Sequence, residues 1–153
     1  MSHATLIIAI DRPLADVFAF VADGETAPLW QAAVLDARRA STDPPGMGAT
    51  YHDQRTNPEQ REKTVVEATR EITEYEPNRT VTFATRVGPV EVVDTYTFRA
   101  VGAGTRVSFD FERHAVPRSG PFATSREAAD LTALKDVMEG REVGIHREAD
   151  DAR

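Results

Sequence analysis

Val90-Glu91-Val92-Val93-Asp94-Thr95-Tyr96-Thr97-Phe98-Arg99-Ala100 is the stretch that decides the fold. Val90, Val92, Tyr96 and Phe98 fall on one face with Asp94 among them, and Glu91, Thr95, Thr97 and Arg99 fall on the other. Side chains alternate across a strand, so this period of two marks a strand with one apolar face. Gly88-Pro89 precedes it and Gly102-Ala103-Gly104 follows it, both of them turn signals.

The same pattern repeats on either side. Val34 to Ala40, Ala49 to Thr56, Thr64 to Tyr75, Thr80 to Arg86 and Arg106 to Glu112 read as strands, divided by Pro44-Pro45-Gly46, Asn57-Pro58 and Pro77-Asn78. Strands joined by short turns predict an antiparallel meander. Toward the N-terminus, Leu6, Ile8 and Ile10 alternate in a further strand. A helix follows, opened by Pro13, with Leu14, Val17, Phe18 and Val21 in one apolar stripe. Asp23-Gly24 ends it, and a second short helix is expected from Glu25 to about Gln31, carrying Trp30.

After a Pro- and Gly-rich loop (Pro117 to Pro121), Thr124 and Glu127 make a capping box for a last helix over Ser125 to Glu139. Leu131, Leu134 and Met138 line one of its faces, and Gly140 stops it. At the standard rise it is about 22 Å long, enough to lie across a curved sheet. The whole predicts an α+β fold: a seven-stranded curved antiparallel sheet, two short helices and one long C-terminal helix. A single domain over residues 1–140 would be followed by a charged tail over 141–153.

Composition narrows the chemistry. The 153 residues include no cysteine, which excludes disulfides, thiolate metal sites and a cysteine nucleophile. The net charge of -7 and the lack of a basic stripe argue against a nucleic-acid partner. Leu6 to Ile10 is too short to span a bilayer, so a cytoplasmic protein without membrane insertion is expected. Gly46-Met47-Gly48 lacks the third glycine of a dinucleotide turn, and His146, Glu148, Asp150 and Asp151 resemble a metal set only in composition. Neither a cofactor nor a metal is expected.

Several local patterns carry a family resemblance. They are Ile10-Asp11-Arg12-Pro13 leading to Val17-Phe18, Asp23 followed by Trp30, Pro45-Gly46-Met47-Gly48, and Ile72-Thr73-Glu74-Tyr75-Glu76-Pro77. Others are Tyr96-Thr97-Phe98 leading into Gly104-Thr105-Arg106-Val107, and Leu134-Lys135 with Glu139. With the element order, they make the chain resemble the helix-grip (START/SRPBCC-like) superfamily over about residues 4–140, in its polyketide cyclase/dehydrase and lipid-transport branch. The resemblance implies an apolar cavity between the concave sheet face and the last helix. It does not fix a chemistry, because one fold hosts many. Members include polyketide aromatases and cyclases, lipid and quinone carriers, hormone receptors and chaperone activators.

Parity predicts the inward rows: Val66, Ala68, Arg70 and Ile72; Val81, Phe83 and Thr85; Val90, Val92, Asp94, Tyr96 and Phe98; Val107, Phe109 and Phe111. Arg70 and Asp94 interrupt them. In one reading they are polar anchors, with Asp94 a general base, Arg70 holding a carbonyl or carboxylate, and Tyr96 donating a hydrogen bond. In the other they form a structural ion pair, or a bulge near Thr73 turns Arg70 outward, and Tyr96 is core.

The expected ligand contacts are Trp30, Tyr51, Arg55, Phe83, Val92, Phe98, Phe109, Leu131, Leu134 and Met138. In the strand Ala49 to Thr56, Tyr51, Asp53 and Arg55 alternate with His52 and Gln54, and either row could face in. His114 is expected near the cavity mouth. The function expected is enclosure of a small apolar molecule (polyketide, lipid or aromatic), with or without cofactor-free cyclase or dehydratase activity. A non-catalytic carrier or sensor and a chaperone-activator-like interaction module are the alternatives. Pairing of two copies through an edge strand is open.

Overall fold

The computed structural model describes residues 2–42, 44–56, 64–114 and 125–141. Strand β1 (Ser2–Ile10) leads into helix α1 (Leu14–Ala22) and a 3-10 helix (Gly24–Leu29). Strands β2 (Val34–Arg39), β3 (Thr50–Thr56), β4 (Val65–Glu76), β5 (Thr80–Val87), β6 (Val90–Val101) and β7 (Gly104–His114) follow, and helix α2 (Ser125–Met138) comes last. All seven strands form one antiparallel sheet in the order β1-β7-β6-β5-β4-β3-β2. β2 to β7 is thus an uninterrupted meander, and β1 adds at its last edge. Thr124 of the expected capping box, the 117–121 loop and the tail beyond residue 141 lie outside the described residues.

Local chemistry explains the boundaries. Pro13, in extended conformation, enters α1 without a side-chain cap, and Arg12 braces the first turn through Asp16 at 3.1 Å. The Asp23 side chain accepts the N–H of Glu25 and so starts the second helix, which Pro28 helps restrict to a short 3-10 form ending at Leu29. At the end of α2, Gly140 takes φ 76°; its N–H reaches the Val137 carbonyl while that of Arg141 reaches Asp136. These two bonds are a Schellman closure.

The expected inward rows fill the concave face. Ala68, Ile72, Val81, Phe83, Thr85, Tyr96, Phe98, Val107, Phe109 and Phe111 are all buried, and Val66, Val92 and Asp94 are half-buried. They pack against Val17, Phe18 and Val21 of α1 and Leu131, Leu134 and Met138 of α2. The pairing of β4 with β5 does slip between Ile72 and Glu74. The extra residue keeps both Ile72 and Tyr75 on the core side without turning Arg70 outward, since Arg70 is only 3% exposed.

The C-terminal half of α2 is pinned to the corner between β1 and α1. Lys135 Nζ donates to the Ala9 carbonyl, Arg12 Nη1 to that of Met138, and the Asp11 N–H to Glu139. Its N-terminal half instead bonds the segment after the 3-10 helix, where Asp130 accepts the Ala32 N–H at 3.1 Å, and that difference positions the site.

Candidate functional site

β3 carries the most polar inward row of the sheet. Tyr51 and Asp53 are fully buried and the Arg55 side chain is 16% exposed, so the row left open by the sequence is this one. Asp53 accepts from Arg70 twice, Nε to Oδ2 at 2.6 Å and Nη2 to Oδ1 at 3.0 Å. Its Oδ2 also accepts from Arg55 Nε at 3.0 Å and Nη2 at 2.9 Å. The second Arg70 contact of Nη2 is the Gly24 carbonyl at 2.6 Å, and the guanidinium lies 5.1 Å from the Tyr51 ring centre and 5.2 Å from that of Phe83. Arg70 is thus held between two aromatic faces, with its Nε and Nη2 donors taken by protein groups.

This closed node lies behind a cavity of about 440 Å³. The cavity opens where the ends of β3 and β4 (Arg55, Thr56, Val66, Glu67), the β5–β6 turn (Val87 to Val90), the segment Trp30 to Ala33 and the first turns of α2 come together. Trp30, Val92, Tyr96, Phe109, Phe111 and Leu131 make it largely apolar. Tyr96 stacks on Phe109 with centroids 4.5 Å apart, and Trp30 meets Tyr96 edge-on at 5.9 Å. Arg55, Asp94 and Asp130 bring charge to the wall, and Arg126, Glu127 and Glu67 complete it.

Electrostatics follow from burial. Burial pushes the Tyr96 hydroxyl well above its ordinary pKa, with the charges of Asp94 and Asp130 adding to the effect, so it stays a neutral donor. Burial lowers Arg55, and Asp53 and Asp94 oppose that shift. Burial likewise raises Asp130 from 3.8 to about 6, against the pull of the Ala32 N–H that its Oδ1 accepts at 3.1 Å.

The expected contacts divide. Trp30, Arg55, Val92, Asp94, Tyr96, Phe109 and Leu131 stand in the cavity wall. Tyr51, Arg70, Phe83, Phe98, Leu134 and Met138, expected beside them, are instead closed into the core. The physical reason is aromatic filling. Phe18 of α1 wedges edge-on against Phe98 at 5.1 Å and Tyr75 at 5.4 Å, and the Tyr51–Arg70–Phe83 stack occupies the space beside it. Arg70 also pairs with Asp53, not with Asp94 across β5.

Asp130 is not among the residues that the sequence pattern singles out. It stands four residues before Leu134 and Glu127 four before Leu131, so both extend the apolar face of α2 toward its N-terminus. That spacing was the available signal. Among the described residues no three histidine, aspartate or glutamate side chains gather as a metal site. The side chain of His114 and the tail residues His146, Glu148, Asp150 and Asp151 lie outside the described residues.

A curved antiparallel sheet gripping a C-terminal helix, with a cavity at the open end, defines the helix-grip class. Residues 1–141 match the family described as polyketide cyclase / dehydrase and lipid transport, and the chain belongs to that family. Among solved structures, protein DR_A0006 of Deinococcus radiodurans is 17% identical, with a TM-score of 0.68 over 92% of this chain and 99% of its own. The truncated norcoclaurine synthase of Thalictrum flavum is 13% identical, with a TM-score of 0.67 over 92% and 95%. The di-domain ARO/CYC BexL of the BE-7585A biosynthetic pathway is 19% identical, with a TM-score of 0.66 over 91% of this chain and 47% of BexL. This chain therefore spans about half of BexL. At such identities the likeness establishes the fold alone. No curated protein sequence matches the chain. No helix among the described residues is long and apolar enough to cross a membrane.

Proposed function

We propose that this protein binds a small, largely apolar molecule of polyketide, lipid or aromatic type in the cavity between β6, β7 and α2. The observation that carries the proposal is the cavity itself: about 440 Å³, apolar at its floor, with a few charged groups converging on it. Sites for small molecules combine those features in that size range. The family's description supports the same ligand class. An open cavity also speaks against a role in which only the outer surface matters.

Any chemistry there is cofactor-free proton transfer on a carbonyl substrate, such as aldol cyclisation or dehydration. Asp94 is the candidate base, and the neutral Tyr96 hydroxyl the candidate donor to a carbonyl oxygen. Arg70 drops out of that set, because it does not line the cavity and its Nε and Nη2 donors are taken by Asp53 and Gly24.

Native mass spectrometry of freshly purified protein tests the binding proposal. A defined apolar adduct, released on denaturation, is expected. A bare chain that also takes up none of a panel of polyketide, fatty-acid and quinone probes would contradict it. Unchanged turnover by Asp94→Asn on a confirmed substrate would remove Asp94 from the mechanism.

A further inference from the structure

The wall that α2 gives the cavity is acidic. Asp130 and Glu127 line it one helical turn apart, and Asp94 faces it from β6. Asp130 is held in place: its Oδ1 takes the Ala32 N–H at 3.1 Å, and Ala32 lies between the wall residues Gln31 and Ala33. Among the described residues, Oδ2 of Asp130 has no hydrogen-bond donor. An anchored carboxyl with one oxygen unused, beside an apolar floor of Trp30, Tyr96 and Leu131, gains from any donor that enters.

We propose that Asp130 is the recognition group for a hydrogen-bond donor on the bound molecule, a hydroxyl or an amine, and that it makes the binding of such molecules pH-dependent. The inference rests on the binding function proposed above and narrows its ligand class. The charged groups around Asp130 are Arg126 and Glu127 on α2, Arg55 on β3, Glu67 on β4 and Asp94 on β6. Arg55 is committed to Asp53 at 2.9 Å, and Arg126 is exposed, so neither removes the need for a donor. Burial lifts Asp130 to about 6, with Glu127 adding to the rise and Arg126 and Arg55 opposing it. Near neutral pH it is therefore an ionised, acceptor-only group. A carboxylate-headed molecule such as a fatty acid would meet repulsion from the ionised Asp130, whereas a phenol or amine would meet an acceptor. Below about pH 6 the carboxyl becomes a neutral acid and the preference fades.

Three matched probes test this by calorimetry on the whole chain: 2-naphthol, naphthalene and 2-naphthoic acid, at about pH 7.5 and about pH 5. One unit below its midpoint Asp130 is only about a tenth ionised, so 2-naphthol should bind up to about tenfold more weakly at the lower pH. Naphthalene should be indifferent to pH, and 2-naphthoic acid should bind more weakly than 2-naphthol at the higher pH. Asp130→Asn should abolish the pH dependence for 2-naphthol. Persistence of that dependence in the variant, or its absence in the wild type while naphthalene binds, overturns the inference alone. Failure of all three probes to bind overturns the binding function and the inference with it. In the unaltered chain, carbon NMR should show the Asp130 carboxyl midpoint moving down when 2-naphthol is bound. An unmoved midpoint also overturns the inference.

Discussion

Arg70 and Asp53 form a two-pronged ion pair sealed from solvent, Nε to Oδ2 at 2.6 Å and Nη2 to Oδ1 at 3.0 Å. Tyr51 and Phe83 cover the guanidinium and the Gly24 carbonyl takes a third bond. Removing Asp53 strands the Arg70 charge in the interior, at a cost of about 3–5 kcal/mol, whereas removing Arg70 leaves Asp53 paired with Arg55. Asp53→Leu should lose stability in that range by urea denaturation. The double variant Asp53→Leu with Arg70→Met should lose less than Asp53→Leu alone, because Arg55 at the cavity wall can reach water. A double variant at least as unstable as the single would show that packing, not charge, dominates the node.

Gly24 is fixed by the same node. A Cβ there would sit 2.7 Å from Tyr51 Cζ and 2.8 Å from both neighbouring ring carbons. Gly24→Ala must therefore displace the ring that covers Arg70, and a loss of about 1–3 kcal/mol is expected by thermal or urea unfolding. Gly24→Ala unfolding like the wild type would mean that the ring gives way freely.

The raised pKa of Asp130 has a signed consequence for stability. The folded state holds that proton more tightly than the unfolded chain, so the carboxyl favours folding below about 3.8, and the advantage is lost as pH rises through about 6. Asp130→Asn stays neutral and can still accept the Ala32 N–H. At about pH 7.5 the variant should be the more stable by up to about 3 kcal/mol, and by about pH 3.5 the difference should vanish. Chemical denaturation at both pH values checks it, and equal differences at the two would refute the burial argument.

How far the sequence carried differs between fold and site. Alternation in β4, β5, β6 and β7 revealed their inward faces because one parity was apolar. β3 resisted, since Tyr51, Asp53 and Arg55 are as polar as the row they alternate with. Only contact with Arg70 from the neighbouring strand makes that row the buried one. The floor residues Val92, Tyr96 and Phe109 were legible from parity, but the extent of the cavity was not. Parity says that Phe83 and Phe98 point inward, and is silent on whether Phe18 and Arg70 already fill the space there. Asp130 is not legible from the pattern, because a carboxylate next to an apolar stripe reads as the start of the solvated face. Its burial depends on the Trp30 to Ala33 segment folding over the first turns of α2.

The central claim is that the space over Val92, Tyr96 and Phe109 is a binding site, and a neutral fluorescent probe tests it most directly. N-phenyl-1-naphthylamine should bind the wild type at about one probe per chain with enhanced emission. Val92→Trp, which fills the floor from β6, should weaken binding at least about tenfold while circular dichroism and unfolding stay near those of the wild type. Equal binding by the wild type and a folded Val92→Trp would place the probe elsewhere and contradict the account.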